Sequence, residues 1–301
     1  MNEPSSGRKG LRRPTGPAFV LVAILASALL PSCARASATA AAAPSGAAGA
    51  STAGSDRPSP AQAAADPRFA VALEALDRAA SDMGAAEAAS IRSRIEASPK
   101  AFLSGLDTVL AERSIDPGRF ARVDKVAPPL GADFVPGDLV SLDGLIRTAR
   151  KGLALRRGAA EALATMVKAA KEDGVELVAG STYRSWEYQK GVFAREVKTY
   201  GEAVARSESA EAGRSQHQLG TALDFSPIDD IFATTAAFRW LSAKAGAYGF
   251  SRSYPEGMES ITGYRPESWH WRWLGSAAVS LTDSYFDGVQ QYFIEFIDKF
   301  K

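Results

Sequence analysis

A chain cannot build a core from alanine, serine, glycine, threonine and proline alone, and from Ala34 to about Ala65 this one offers little else. Such a stretch buries too little apolar surface to offset the entropy lost on ordering it. It reads as a flexible tether over residues 34–65, and any fold must come from residue 66 onward. About 30 residues of such coil have an r.m.s. reach of about 30 Å.

The segment before the tether has a different pattern. Arg8, Lys9, Arg12 and Arg13 form a basic patch, and an apolar run from Ala18 to Leu30 follows. A basic segment, an apolar segment and then small residues make an export signal over residues 1–33. The run is well short of the roughly 20 residues that a spanning helix needs. Leu30-Pro31-Ser32-Cys33 resembles a bacterial lipobox, in which Cys33 receives lipid and anchors the protein to the outer face of the membrane. Ordinary cleavage after Ala34-Arg35-Ala36 or Ala36-Ser37-Ala38 is the alternative. The chain has one cysteine, so no internal disulfide can form. A formal net charge of +1 gives no electrostatic footprint for nucleic acid.

Regular structure is expected to begin at Asp66-Pro67, a good cap followed by a good first-turn residue. Phe69, Leu73 and Leu76 then repeat at helical spacing, and a second helix from Ser98-Pro99 places Phe102, Leu103, Leu106 and Leu110 on one face. Residues 66–117 thus read as a helical accessory segment, and 117–142 as an irregular lead-in. Helices are expected over 159–173, 186–200 and 238–248, and strands over 175–179, 219–225 and 269–273. The stretch 277–301 reads as an aromatic amphipathic C-terminal helix. Helices and short strands mix without βαβ alternation, which predicts an α+β fold.

The chemistry gathers around the chain's two histidines, His217 and His270. In Trp269-His270-Trp271-Arg272-Trp273 the period of two means a strand with tryptophans on one face, turning His270 toward a cleft or solvent. Glu267 stands three residues before it. In Leu219–Phe225 the apolar pair Leu223 and Phe225 marks the core side, leaving Asp224 on an expected exposed face. Two histidines and one carboxylate, with a fourth position open to water, make a catalytic rather than a structural zinc site. On spacing alone each residue also has a bland reading, as a satisfied histidine or a turn aspartate.

Five segments, taken in order, resemble the VanY-type D-alanyl-D-alanine carboxypeptidases, zinc peptidases of the M15 family. They are the Lys125–Leu142 lead-in; Ser181-Thr182-Tyr183-Arg184-Ser185; Ser215-x-His217-x-x-Gly220-x-Ala222-x-Asp224; the run Tyr248-Gly249-Phe250, Tyr254-Pro255 and Ile261-Thr262-Gly263-Tyr264; and Glu267-x-Trp269-His270. Thr182 replaces the family's usual glycine. The resemblance covers roughly residues 118–276 and implies a small antiparallel sheet with flanking helices, of the M15 and hedgehog type. It implies that His217, Asp224 and His270 bind one Zn2+ ion and that Glu267 is the catalytic base. It further implies that Arg184 steadies the oxyanion, and that Gln189 and Ser215 hold the substrate's end. The implied partners are peptidoglycan stem peptides, trimmed of a terminal D-alanine outside the membrane. An L,D-carboxypeptidase, a D,D-dipeptidase or an endopeptidase would share this machinery, and a catalytically silent wall-binding lipoprotein would share the fold.

Overall fold

The computed structural model describes residues 66–300. The export signal, Cys33 and the tether lie outside the described residues. In chain order the elements are α1 (Pro67–Met83), α2 (Ala85–Ala97), α3 (Pro99–Ile115), β1 (Leu139–Ser141), β2 (Ala154–Arg156), α4 (Arg157–Glu172), β3 (Ala179–Ser181), α5 (Trp186–Tyr200), α6 (Glu202–Glu208), β4 (Ala222–Phe225), α7 (Ala236–Lys244), β5 (Phe250–Arg252), α8 (Glu259–Thr262), β6 (His270–Trp273), α9 (Ser276–Tyr285) and α10 (Gln290–Lys299). Among the described residues no helix is long and apolar enough to cross a membrane.

Asp66 caps α1 as expected, its carboxylate accepting from Arg68 N at 3.0 Å. The expected face of α3 is buried at Phe102, Leu103 and Leu106, and Leu110 packs against the same cluster. Helix α2 carries only Ala88, Ile91 and Ile95 inward. The stretch read as one C-terminal helix forms two, α9 and α10, separated by Asp287 at φ 56° and Gly288 at φ 69°. A left-handed pair of this kind breaks a helix. These two helices do not lie on the periphery: Tyr285, Phe293 and Phe296 join Phe69, Leu76 and Phe102 in one helical core.

The second core lies on a four-stranded sheet in the order β3-β4-β6-β5, with every neighbouring pair antiparallel. Leu223, Phe225, Trp269 and Trp271 pack on α4 and α7 through Leu163, Met166 and Leu241. The tryptophans therefore do face the core. The opposite face is not open. Arg272 is buried there, donating from Nη2 to Arg119 O at 2.9 Å and Ala121 O at 2.8 Å. Asp224, expected on an exposed face, is only 2% exposed, because His217, His270 and Arg184 crowd its carboxylate.

Several boundaries move for local reasons. The strand expected over 175–179 forms at Ala179–Ser181, since Val175 N is spent on Ala170 O at the end of α4, and β4 pairs only with the later residues. Gly180 and Ser181, beyond the expected end, are therefore in the strand. The strand expected from Leu219 starts at Ala222, after a 3-10 turn over Gln216–Leu219. The helix expected to reach Tyr248 tightens to 3-10 geometry after Lys244 and is closed by Gly249.

Candidate active site

Sheet register brings two of the expected ligands together. Asp224 on β4 and His270 on β6 are direct cross-strand partners, so their side chains rise side by side from one face. His217 comes from the turn before β4, where Ser215 Oγ accepts from His217 N at 3.3 Å. Gly220 ends that turn at φ 70° and feeds the chain into β4. A side chain there would be strained by that φ, and its Cβ would lie 3.0 Å from both Arg156 and Leu139.

The three groups converge tightly. His217 Nε2 lies 3.2 Å from Asp224 Oδ2, and His270 Nδ1 lies 3.0 Å from Asp224 Oδ1. One ligand atom from each residue lies within 4.8 Å of the others. The far ring nitrogens are engaged too: His217 Nδ1 with Thr182 O at 2.8 Å, and His270 Nε2 with Gln216 Oε1 at 3.2 Å. Such outer contacts orient metal-binding imidazoles and fix their tautomer. Burial, reinforced by the Arg184 charge, lowers the His217 pKa to about 4 and keeps its ring neutral. Burial works against the Asp224 carboxylate, but His217, His270 and Arg184 outweigh it and hold its pKa well below the usual range. Two imidazoles, one ionised carboxylate and an open side fit a divalent metal such as zinc.

The open side is a cavity of about 250 Å³ lined by Arg184, Gln189, Ser215, Tyr254 and Glu267 beside the three converging residues. Every candidate site residue within the described chain thus meets at one place. Glu267 Oε2 lies 3.5 Å from His270 Nδ1. Burial, with the Asp224 charge adding to it, pushes the Glu267 carboxyl up to about 8, while Arg184 and Arg265 pull it back. Arg184 donates from Nη2 to Asp224 Oδ2 at 2.6 Å, from Nε to Ser181 Oγ at 3.0 Å and from Nη1 to Gln189 Oε1 at 3.3 Å. Gln189 is 1% exposed and is itself tied down, donating to Ala210 O at 2.7 Å.

Sequence reasoning passed over three contributors. Thr182 acts through its carbonyl, which no side-chain pattern reveals. Gln216 stands inside the His217 motif as an unassigned position. Tyr254 enters the sequence pattern without a role, yet its ring centroid lies 4.8 Å from that of His270. Its hydroxyl pKa is raised well above the ordinary value, chiefly by burial, so it remains a donor.

The profile of VanY, D-alanyl-D-alanine carboxypeptidase, matches residues 152–276. YodJ of Bacillus subtilis (strain 168), a carboxypeptidase by name alone, is 36% identical over 199 residues, spanning 64% of this chain and 71% of its own length. A D-alanyl-D-alanine carboxypeptidase of Enterococcus faecalis (strain ATCC 700802 / V583) is 36% identical over 128 residues, spanning 39% of this chain and 47% of its own. Among solved structures, that of the LdcB LD-carboxypeptidase superposes with a TM-score of 0.54 at 34% identity, over 62% of this chain and 89% of that one.

Proposed function

The chain belongs to the VanY D-alanyl-D-alanine carboxypeptidase family, and from that premise we propose that it removes the C-terminal D-alanine from peptidoglycan stem peptides in a zinc-dependent reaction. The observation that carries this reading is the convergence of His217, Asp224 and His270 at the floor of a cavity walled by Glu267 and Arg184. Zinc held by those three residues supplies a Lewis acid for the scissile carbonyl and the attacking water.

The chain's own groups do the rest. In its ionised form, which the charge of a bound divalent ion would favour, Glu267 takes a proton from the attacking water and passes it to the leaving amine, a role supported by its 3.5 Å approach to His270 Nδ1. Arg184 puts a fixed positive charge where negative charge develops on the carbonyl oxygen. Its planar fork also suits a substrate carboxylate, since it can offer two parallel donors. Gln189 steadies that guanidinium from behind, and Ser215 shapes the turn that presents His217.

Purified protein incubated with pentapeptide and tetrapeptide muropeptides, with and without a chelator, tests the proposal by mass spectrometry. Chelator-sensitive loss of one residue from the pentapeptide is expected. Shortening of the tetrapeptide alone would favour an L,D-carboxypeptidase, a second reading supported by the likeness to LdcB. Loss of two residues or cleavage within a cross-link would move the assignment to a dipeptidase or endopeptidase. Intact peptides with zinc-loaded protein would leave a silent wall binder. We also propose that the enzyme works outside the membrane, tethered through lipid on Cys33. Incorporation of labelled fatty acid that persists in Cys33→Ala would remove the anchor.

A further inference from the structure

His270 approaches the centre through Nδ1, the ring nitrogen nearer the backbone. A neutral imidazole carries one proton, and a proton on Nδ1 would leave no lone pair there for a metal. Whatever holds that proton on Nε2 therefore decides whether His270 can ligate at all. For His217 the equivalent duty falls to a backbone carbonyl, Thr182 O. For His270 it falls to a side chain, Gln216, whose Oε1 lies 3.2 Å from Nε2.

An amide can turn either its oxygen or its NH2 group toward a neighbour, and only the oxygen would serve here. The same Gln216 Oε1 accepts from Ser253 Oγ at 2.7 Å. Ser253 Oγ lies in turn 3.3 Å from Gln290 Oε1, and Gln290 Nε2 donates to Ser251 O at 3.2 Å. Gln216, Ser253, His270 and Gln290 are all at most 4% exposed, so water cannot substitute for a missing partner. Gln290 is the first residue of α10 and lies outside residues 152–276, the part matched by the family profile.

We propose that Gln216 is a positioning residue of the metal centre: braced by Ser253, its amide oxygen keeps the proton of His270 on Nε2 and leaves Nδ1 free to ligate. The inference rests on the reading of His217, Asp224 and His270 as metal ligands.

The test titrates full-length protein with zinc(II) alone, in competition with a chromophoric chelator, and melts each metal-free variant alongside. Gln216→Leu, of similar size but with no acceptor, is expected to bind zinc about 10- to 100-fold more weakly while its metal-free melting temperature holds. Gln216→Glu keeps an acceptor oxygen and is expected to stay within about threefold of the parent protein. If Gln216→Leu does not fold, Ser253→Ala takes its place, with weaker zinc binding again expected. Unaltered zinc affinity in a folded Gln216→Leu, or in its substitute, overturns the positioning role alone. Parent protein that binds no zinc overturns the ligand assignment and this inference together.

Discussion

Two glutamates, one beside the catalytic cavity and one in the helical core, make the instructive comparison. Glu267 sits beside the converging histidines and Glu295 in the helical core, and burial raises both carboxyls, to about 8 and about 7. Their surroundings differ. Glu295 is enclosed by its partners: Gln291 Nε2 donates to it at 2.9 Å, and Arg122 Nη2 lies 3.6 Å away. Arg122 also binds Asp82 and Asp124, each at 2.6 Å, so one guanidinium joins three carboxylates from α1, the lead-in and α10. Glu267 instead fronts a cavity, next to three groups with the chemistry of metal ligands. A raised pKa records burial in both places. What the carboxyl faces separates a reacting group from a brace.

The largest effect that could break this contrast is on turnover. Glu267→Gln is expected to cut the rate by about 10³-fold or more with zinc retained, while Glu295→Gln stays within about threefold of the parent. Equal losses in steady-state assays of the two would erase the distinction. His217→Ala should show no stoichiometric zinc by elemental analysis, and full occupancy would remove it from the ligand set. The two arginines sharpen the same line. Arg184→Ala is expected to lower the rate by about 10²- to 10³-fold. Arg122→Ala should act on stability instead, costing about 3–5 kcal/mol in urea unfolding, because it leaves buried carboxylates uncompensated. A stable Arg122→Ala with impaired turnover would reverse the roles.

The smallest effect is the pH dependence of the brace. Glu295 has a folded-state pKa of about 7 against an ordinary 4.5, so between those values the folded state binds more proton than the unfolded one. Its contribution therefore becomes less favourable as pH rises from 4.5 through 7, by at most about 1.4 kcal/mol per pH unit. Glu295→Gln removes that dependence. Its stability relative to the parent should climb from pH 5 to pH 7 and then level off. A relative stability that falls with pH would contradict the burial argument.

Much of the catalytic floor was legible in the sequence because strong local patterns enforce it. The Trp-His-Trp-Arg-Trp alternation could only be a strand, and His270 had to oppose the tryptophans on it. The apolar pair Leu223 and Phe225 likewise placed Asp224 on the opposite face of its strand. The features that stayed hidden depend on partners far away in sequence. Strands β1, β2 and β5 span three residues each, too few to show a period. Helix α2 is mostly alanine and short polar residues, with little contrast between its faces. The burial of Asp224 follows from His217, His270 and Arg184 closing on its carboxylate, and Arg184 lies 40 residues away in sequence. The inclusion of 277–300 in the helical core is also non-local, since a single amphipathic face does not name its partner.

The pairing of α1 with α10 has a consequence for how this molecule comes into being. Arg78 on α1 donates to Lys299 O, a contact between residues 221 apart in sequence. Contacts that close so long a loop form late, since the chain must lose most of its freedom before they are rewarded. During synthesis α1, α2 and α3 emerge well before the aromatic residues that will cover them, and Phe102 and Leu106 must wait with an uncovered flank. The sheet between the two ends serves as the splint that brings them within reach, so the outermost helices settle last.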